Sequence, residues 1–225
     1  VIKLMKYINH IDPHIVFSLS KTTSHFSYII KILFQKRFRL INASIRNAPL
    51  NFSKYLSVER SLYNLYDEVL SNSYAGLSAY KQLGKNGRYI LYNGFNMKRV
   101  PSSKKYKLRN QLGLKKQFII TMVASMDDRK DHRTLLKAAR IALNESSNIQ
   151  FILIGDDPYK HEYQKLVSSL EMGNSISFLS QVDNVEEFLK ASDLSILISS
   201  SWHGEGIPNV VIESFACGTP VIATD

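Results

Sequence analysis

The densest group of residues that could perform chemistry lies near the end of the chain, in SSSWHGEGIPNVVIESFACGTPVIATD, residues 199–225. Gly204 and Gly206 lie in a loop, and Pro208 precedes a predicted helix. Proline suits the first turn of a helix, where the backbone N–H groups have no partner within the helix. Those N–H groups, at 207–210, favour an anion, and the glycines leave room for a phosphate to approach. This segment therefore predicts a phosphate site, with an ordinary strand–loop–helix corner as the alternative.

Two carboxylates accompany this loop, Glu205 within it and Glu213 eight residues later on the predicted helix. A phosphate would repel them, so we expect them to accept hydrogen bonds from hydroxyl groups, and one ionised carboxylate can accept two. Sugars and riboses carry such paired hydroxyls. A ligand with phosphate between two hydroxyl-rich ends is a nucleotide sugar. For either glutamate alone, a solvated surface residue is the alternative interpretation.

Alternating apolar strands and amphipathic helices must position these residues. In the second half, strands are predicted at 118–125, 150–156, 176–181, 194–200 and 220–224, and helices at 132–145, 159–172, 185–192 and 209–218. The first half shows the same alternation less clearly, with strands at 15–20, 39–46, 68–73 and 87–92 and helices at about 22–36, 55–66 and 74–83. Short apolar strands separated by helices predict parallel sheets, which bind ligands outside the carboxyl ends of their strands.

The charge distribution divides the chain into two parts. The 225 residues carry a net charge of +10, but residues 1–117 hold 21 Lys and Arg against 4 Asp and Glu, and residues 118–225 hold 8 against 15. This asymmetry predicts two domains with different partners. We place an N-terminal domain at 1–94, a basic linker at 95–117 and a C-terminal domain at 118–225. A single cysteine excludes a disulfide framework and a cysteine-rich zinc site.

The sequence EGIPNVVIESFACGTPVIATD closely resembles the E-x7-E signature of retaining GT-B glycosyltransferases, specifically glycosyltransferase family 4. VASMDDRKDHRTLLKAA, FILIGD and ISFLSQVDNVEEFLKASDLSILIS match the same family in order, and the likeness is weaker before Glu68. The resemblance implies an α/β GT-B fold of two Rossmann-like domains with parallel sheets, both incomplete in this chain. It also implies transfer of a sugar from a nucleotide-sugar donor to a glycan or lipid-linked acceptor with retention. SIRNAP resembles polysaccharide-assembly members, which suggests bacterial surface polysaccharide biosynthesis.

The resemblance assigns roles to individual positions. It implies that Glu205 contacts the transferred sugar, that Lys130 stabilises the leaving diphosphate, and that Glu213 binds the ribose hydroxyls. Glu205 and Lys130 are therefore the catalytic candidates. The other donor-binding candidates lie at strand ends or around the helix start: Gly206, Ile207, Pro208, Asn209, Val210, Gln181, Val182, Ser125 and Arg129. The resemblance implies no required metal and no cofactor beyond the nucleotide-sugar substrate.

Ser125 departs from the family pattern, which usually has an arginine at this position, and the change removes a bidentate phosphate clamp. Arg129 is hypothesised to compensate for it. His132 is interpreted as a helix cap or surface residue rather than a base, and Cys217 as a core residue. For His203, loop packing and a substrate contact remain equally open.

The basic first half suggests a further partner. Residues 28–41, YIIKILFQKRFRLI, mix apolar and basic side chains, and such a segment can lie on an anionic membrane surface. An ordinary helix and strand with a solvated basic edge is the alternative. We expect a cytoplasmic protein at the inner face of the membrane.

Three other functions compete with sugar transfer as explanations of this sequence. Nucleic-acid binding is disfavoured because the tyrosines form no stacking platform and the acidic half would be unexplained. A nucleotide-sugar epimerase is disfavoured because it would need different acid and base residues. An inactive fragment stays open as an interpretation.

Overall fold

The computed structural model describes residues 2–50, 54–156, 160–200 and 202–224. The chain forms two compact units, one of Val1–Asn93 with Ser201–Ile207, the other of Gly94–Ser200 with Pro208–Asp225. Each unit contains one parallel sheet with helices between its strands, so the predicted α/β fold with two Rossmann-like parallel sheets is confirmed.

The first unit has a four-stranded parallel sheet in the order β1-β2-β3-β4. Its elements are α1 (Ile2–Ile11), β1 (Ile15–Ser18), α2 (Lys21–Leu33), β2 (Arg39–Ile45), α3 (Lys54–Leu62), a 3-10 turn (Tyr63–Leu65), β3 (Glu68–Ser71), α4 (Tyr74–Ala79) and β4 (Arg88–Ile90). All four predicted strands form, and each ends before its predicted limit. The core joins Ile30, Leu40 and Val69 to the rings of Tyr63 and Tyr80.

The sequence pattern does not predict α1. Its signal is the spacing of Leu4, Met5 and Ile8, which places three apolar side chains on one face. Ile8 is buried in the core of the first unit, and Leu4 and Met5 pack against that core. Burial of this face therefore explains the helix.

The second unit has a five-stranded parallel sheet in the order β7-β6-β5-β8-β9. Its elements are a 3-10 turn (Met97–Arg99), α5 (Lys105–Gln111), β5 (Phe118–Val123), α6 (His132–Glu145), β6 (Ile149–Ile154), α7 (Lys160–Ser169), β7 (Ile176–Leu179), α8 (Val185–Ala191), β8 (Leu194–Leu197), α9 (Asn209–Ala216) and β9 (Val221–Ala223). The strands are apolar on both faces, since Ile119 belongs to one core cluster and Ile120 and Met122 belong to another.

The strand order of the second unit creates a switch point between β5 and β8. From β5 the chain continues to β6 and β7 on one side, and β8 and β9 lie on the other. Parallel sheets of this kind bind ligands in the crevice at the carboxyl ends of the two central strands. The loops that follow β5 and β8 are therefore the positions where chemistry is expected.

The segment assigned to a linker at 95–117 lies within the second unit. Its helix α5 is held by Asp193, which accepts a hydrogen bond from Lys105 Nζ at 2.6 Å and forms an ion pair with Arg109. The same carboxylate accepts from the Ile119 N–H at 2.8 Å. These contacts join the basic segment to β5. The sequence composition marked the segment as basic, but it did not reveal the acidic partner.

Across the described ranges, none of the helices combines the length and apolar character needed to span a bilayer.

Candidate functional site

Lys130 lies where the loop after β5 meets the end of β8. Its backbone forms an isolated antiparallel bridge with Ser199, and its Nζ atom lies 3.2 Å from Ser199 Oγ. The neighbouring Ser200 donates from its N–H to the Arg129 carbonyl at 2.9 Å and from its hydroxyl to the Asp128 carbonyl at 2.6 Å. The loop is thus tied to β8 at several points, which places the Lys130 ammonium at the switch point.

The helix that follows Lys130 begins with a side-chain cap. Asp131 accepts from the Thr134 N–H at 2.9 Å, as expected at a helix start. His132 is buried, and its ring packs 5.4 Å from the ring of Tyr163. The interpretation of His132 as a cap or surface residue is therefore wrong, because Asp131 provides the cap and α6 turns the imidazole into the core.

Asp127 organises the start of the loop after β5. Its carboxylate accepts from Ser125 Oγ at 2.8 Å and from two nitrogens of the Arg129 side chain at 2.5 and 3.0 Å. The Arg129 guanidinium holds the pKa of Asp127 well below its usual range, with partial burial opposing and the Ser125 hydroxyl assisting. Arg129 therefore pairs with Asp127 in this structure, and that pairing does not match the hypothesis that it replaces the missing phosphate clamp.

The α9 helix begins at Asn209, and the preceding Pro208 provides no side-chain cap. Glu213 follows one turn later, and its carbonyl accepts from the Cys217 N–H at 3.0 Å. Cys217 belongs to the buried cluster beneath the helix, so its interpretation as a core residue is confirmed. Val210, near the helix start, belongs to the same cluster. The apolar face of α9 is therefore fixed on the sheet.

Glu213 lines a cleft of about 80 Å³ at the side of α9. The cleft is lined by Gly94, Phe95, Asn96, Arg99, Asn209, Ile212 and Glu213. Arg99 reaches the Glu213 Oε1 atom at 3.8 Å and the Glu186 Oε1 atom at 2.5 Å. Burial raises the pKa of Glu213, Arg99 partly offsets this rise, and Glu186 reinforces it. A carboxylate of this kind can accept hydrogen bonds from ligand hydroxyls entering the cleft.

Glu205, Gly206 and Ile207 belong to the first unit. A Cβ on Gly206 would lie 2.1 Å from Asn72 Oδ1, and the Ile207 carbonyl accepts from Asn72 Nδ2 at 3.3 Å and from Asn93 Nδ2 at 2.9 Å. The need for glycine at 206 therefore arises from packing inside the first unit.

Close packing also requires a glycine at position 204. Gly204 has a φ of +59°, and a Cβ there would lie 1.9 Å from the Ala48 carbonyl oxygen. His203, in the same loop, packs edge-on against Trp202 at 5.6 Å. The loop is thus positioned by close contacts with the backbone that follows β2.

The last two donor-binding candidates follow β7, at the carboxyl end of the same sheet as Lys130. Gln181 is exposed, and Val182 packs against the cluster of Ile119, Ile152 and Ile154. Within the part of the chain that the structure describes, no three His, Cys, Asp or Glu side chains are grouped so that they could hold a metal ion.

Sequence reasoning missed several residues that contact the candidates. These are Ser199, Asp127, Arg99, Asn72 and Asn93. Asp127 carried a local signal, because it stands two residues from both Ser125 and Arg129, a spacing that suits Asx turns. The other contacts join residues more than 60 positions apart, so no local pattern could identify them.

Comparison with protein families identifies the chain. The family described as Glycosyl transferases group 1 matches residues 104–225, which include every catalytic and donor-binding candidate predicted from the sequence. The chain belongs to this family. The resemblance stated from the E-x7-E segment is thereby confirmed.

The curated relatives of this group 1 chain are longer than the chain itself. An uncharacterized glycosyltransferase of Methanocaldococcus jannaschii, MJ1059, is 26% identical over 99% of this chain and 58% of its own length. A Campylobacter jejuni enzyme is 27% identical over 73% of this chain and 43% of its own length. Its name is N-acetylgalactosamine-N,N'-diacetylbacillosaminyl-diphospho-undecaprenol 4-alpha-N-acetylgalactosaminyltransferase. The chain therefore spans about half the length of these relatives.

Among solved structures, HepE from Anabaena in complex with UDP-glucose superposes on this group 1 chain with a TM-score of 0.84. The two are 24% identical, and the match covers 99% of this chain and 62% of HepE. This likeness confirms the GT-B type of fold.

Proposed function

We propose that this protein transfers a sugar, with retention of configuration, from a nucleotide-sugar donor to a glycan or lipid-linked acceptor in bacterial surface polysaccharide biosynthesis. The observation that carries the proposal is the position of Lys130 beside Ser199 at the switch point of the second sheet. The relative from Campylobacter, named as a sugar transferase acting on a diphospho-undecaprenol-linked saccharide, supports the acceptor class.

In this proposal the donor diphosphate lies against Lys130 and the start of α9. The α9 N–H groups and helix dipole attract its negative charge, as does the lysine ammonium. The segment from Gly206 through Ile207, Pro208 and Asn209 to Val210 follows the chain into α9 and would hold the sugar and diphosphate. Gln181 and Val182, at the carboxyl end of β7, would contact the base.

The proposed reaction breaks the bond between the anomeric carbon and the diphosphate oxygen. The nucleoside diphosphate leaves with the bonding electron pair. An acceptor hydroxyl oxygen bonds to the anomeric carbon on the face that the diphosphate leaves, and the hydroxyl proton passes to the departing diphosphate oxygen. Lys130 stabilises the charge that develops on the leaving group. Glu205 would hold hydroxyls of the transferred sugar, and Glu213 those of the ribose.

We assign the leaving-group stabilisation to Lys130 rather than to a metal ion. An initial-rate assay with and without EDTA tests this assignment. We expect equal rates in the two conditions, and loss of turnover on chelation, restored by Mg²⁺ or Mn²⁺, would contradict it.

We further propose that the first unit contacts an anionic membrane from the cytoplasmic side. At the end of α2, Ile32, Leu33 and Phe34 are exposed, and Lys36 and Arg37 follow them. This combination suits the headgroup region of an anionic bilayer. Liposome flotation tests it, since binding should require anionic lipid and fall with salt. Absence of flotation at low salt would contradict it.

Two other basic residues of this segment pair within the unit, because Lys31 forms an ion pair with Asp67 and Arg39 with Glu68. A variant carrying Lys36→Gln and Arg37→Gln should therefore lose flotation more than Lys31→Gln.

A donor screen tests the sugar-transfer proposal. Purified full-length protein is mixed with UDP-, GDP- and ADP-sugars, and thermal shift and calorimetry report binding. We expect one donor class to stabilise the protein, and Glu213→Ala to remove that stabilisation. Glu145→Ala, an exposed glutamate at the end of α6, is the matched control and should bind as the wild type does. No response to any donor would contradict the proposal.

A further inference from the structure

Arg99 lies between two carboxylates of the second unit. It ends the 3-10 turn Met97–Arg99, and its guanidinium carbon lies 5.5 Å from the centroid of the Phe95 ring. One nitrogen lies 2.5 Å from Glu186 Oε1 on α8, and the other lies 3.8 Å from Glu213 Oε1 on α9. The stacked ring and the closer ion pair fix the guanidinium, so that its second nitrogen faces Glu213.

The two carboxylates are in an unfavourable environment without this cation. The side chains of Glu186 and Glu213 are only 5% and 16% exposed, respectively. Burial and the nearby Glu186 charge disfavour the ionised form of Glu213, and removal of the shared cation leaves a buried charge without compensation. Arg99 is half exposed, with 50% of its side chain accessible, so it borders the solvent at the wall of the Glu213 cleft.

We propose that Arg99 is a positioning residue for the donor site, which holds the Glu213 carboxylate in place and balances its charge so that it can accept two hydroxyls of the nucleotide ribose. This inference rests on the proposed function, because Glu213 has a ligand only if the protein binds a nucleotide sugar. Neither the sequence motif nor the family match marks Arg99 as a site residue. The cleft, the stacked Phe95 ring and the two ion pairs mark it.

The charge of Arg99 makes donor binding at Glu213 depend on pH. Glu213 has a raised pKa, because burial and Glu186 raise it more than Arg99 lowers it. The Cys217 thiol interacts electrostatically with these three groups and with Lys190. Burial raises the pKa of this thiol, so it stays neutral near pH 7. Removal of Arg99 raises the Glu213 pKa further. The carboxyl group then protonates at a higher pH and accepts fewer hydroxyl hydrogen bonds, so donor binding weakens most on the acidic side.

The test compares wild type, Arg99→Gln, Arg99→Lys and Lys98→Gln. Lys98 is the exposed neighbour in the same turn and serves as the matched control. Calorimetry measures binding of UDP, GDP and ADP between about pH 5.5 and 8.5. Initial rates over the same range give the donor KM and kcat with the sugar of the nucleotide that binds.

For Arg99→Gln we expect a donor KM and a nucleotide Kd raised about tenfold near pH 6, with kcat within about twofold of the wild type. The defect should shrink toward pH 8.5. Arg99→Lys should recover most of the affinity, and Lys98→Gln should match the wild type. A merely structural role for Arg99 would not produce this pH profile or the lysine rescue.

Arg99→Gln leaves Glu186 buried without its cation and could unfold the protein. The double variant Arg99→Gln/Glu186→Gln removes that charge, and it should fold while keeping a KM above that of the wild type. Unchanged KM and Kd at every pH in a folded variant overturn this inference and leave the proposed function intact. Failure of the wild type to bind any of the three nucleotides or their sugars overturns both.

Discussion

The Nζ atom of Lys130 lies 3.2 Å from the Oγ atom of Ser199, although the two residues are 69 positions apart in the chain. Their backbones form an isolated bridge that joins the loop after β5 to the end of β8. Because β5 and β8 flank the switch point of the sheet, this bridge places a cation in the crevice where such sheets bind phosphates.

Replacement of Lys130 by alanine should impair transfer more than it impairs donor binding. Loss of one preorganised group that stabilises developing charge lowers kcat by about 100- to 1,000-fold. Initial rates at saturating donor give kcat, and thermal unfolding reports folding. Lys137→Ala, on the exposed face of α6, is the control and should retain kcat. A kcat within about threefold of wild type for Lys130→Ala would argue against the leaving-group role.

Arg129→Ala should have a much smaller effect on kcat than Lys130→Ala, because its guanidinium pairs with Asp127. We expect a change in kcat below about tenfold and a loss of stability of about 0.2–1 kcal/mol, typical of an exposed ion pair. Initial rates and urea denaturation measure the two effects. An equal loss of kcat in both variants would instead show that Arg129 leaves Asp127 and contacts the diphosphate.

Gly206→Ala should destabilise the first unit. The added methyl group would lie 2.1 Å from Asn72 Oδ1 and 2.7 Å from the Arg46 carbonyl oxygen. Both contacts are too short, so both neighbours or the backbone of residue 206 must shift. Overpacking of this kind costs about 1–3 kcal/mol. Urea denaturation followed by the fluorescence of Trp202, the single tryptophan, measures it.

The matched control for this substitution is Gly173→Ala, where the new methyl group meets no atom within 4 Å. We expect its denaturation midpoint to equal or slightly exceed that of the wild type. If the Gly206 variant were as stable as the Gly173 variant, the close packing around residue 206 would be contradicted.

The Asp193 carboxylate should stabilise the second unit in a pH-dependent way. Burial raises its pKa, but hydrogen bonds from Lys105, the Ile119 N–H and Arg109 outweigh burial and leave the pKa lowered. A lowered folded-state pKa contributes stability that is complete above the unfolded value, near 3.9, and is lost as pH falls through the folded value.

Asp193→Asn should therefore be less stable than wild type at pH 7, and the difference should shrink below about pH 4. Urea denaturation at a series of pH values measures the difference. Asp183→Asn, at an exposed position after β7, is the control and should remain close to wild type. A difference between Asp193→Asn and wild type that did not change with pH would show that the carboxylate charge is not the cause.

Some of the architecture could be read from local sequence. The apolar runs at 118–125 and 150–156 predicted β5 and β6, and the helical spacing at 132–145 predicted the bounds of α6. The helix α5 was not predicted from the sequence. Leu108 is the single buried residue across its described range, Lys105–Gln111, so the segment shows no apolar periodicity. The helix is held instead by the contacts of Lys105 and Arg109 with a distant aspartate, Asp193.

The sequence by itself determined the alternation of strands and helices, the family, and the positions of Lys130, Glu205 and Glu213, because periodicity and motif spacing are local properties of the chain. Only the tertiary structure decided which side chains meet. It paired Arg99 with Glu213, and it held the carbonyl of Ile207 with an asparagine 135 positions earlier. These contacts depend on strand order and on the packing of distant elements, which local patterns do not encode.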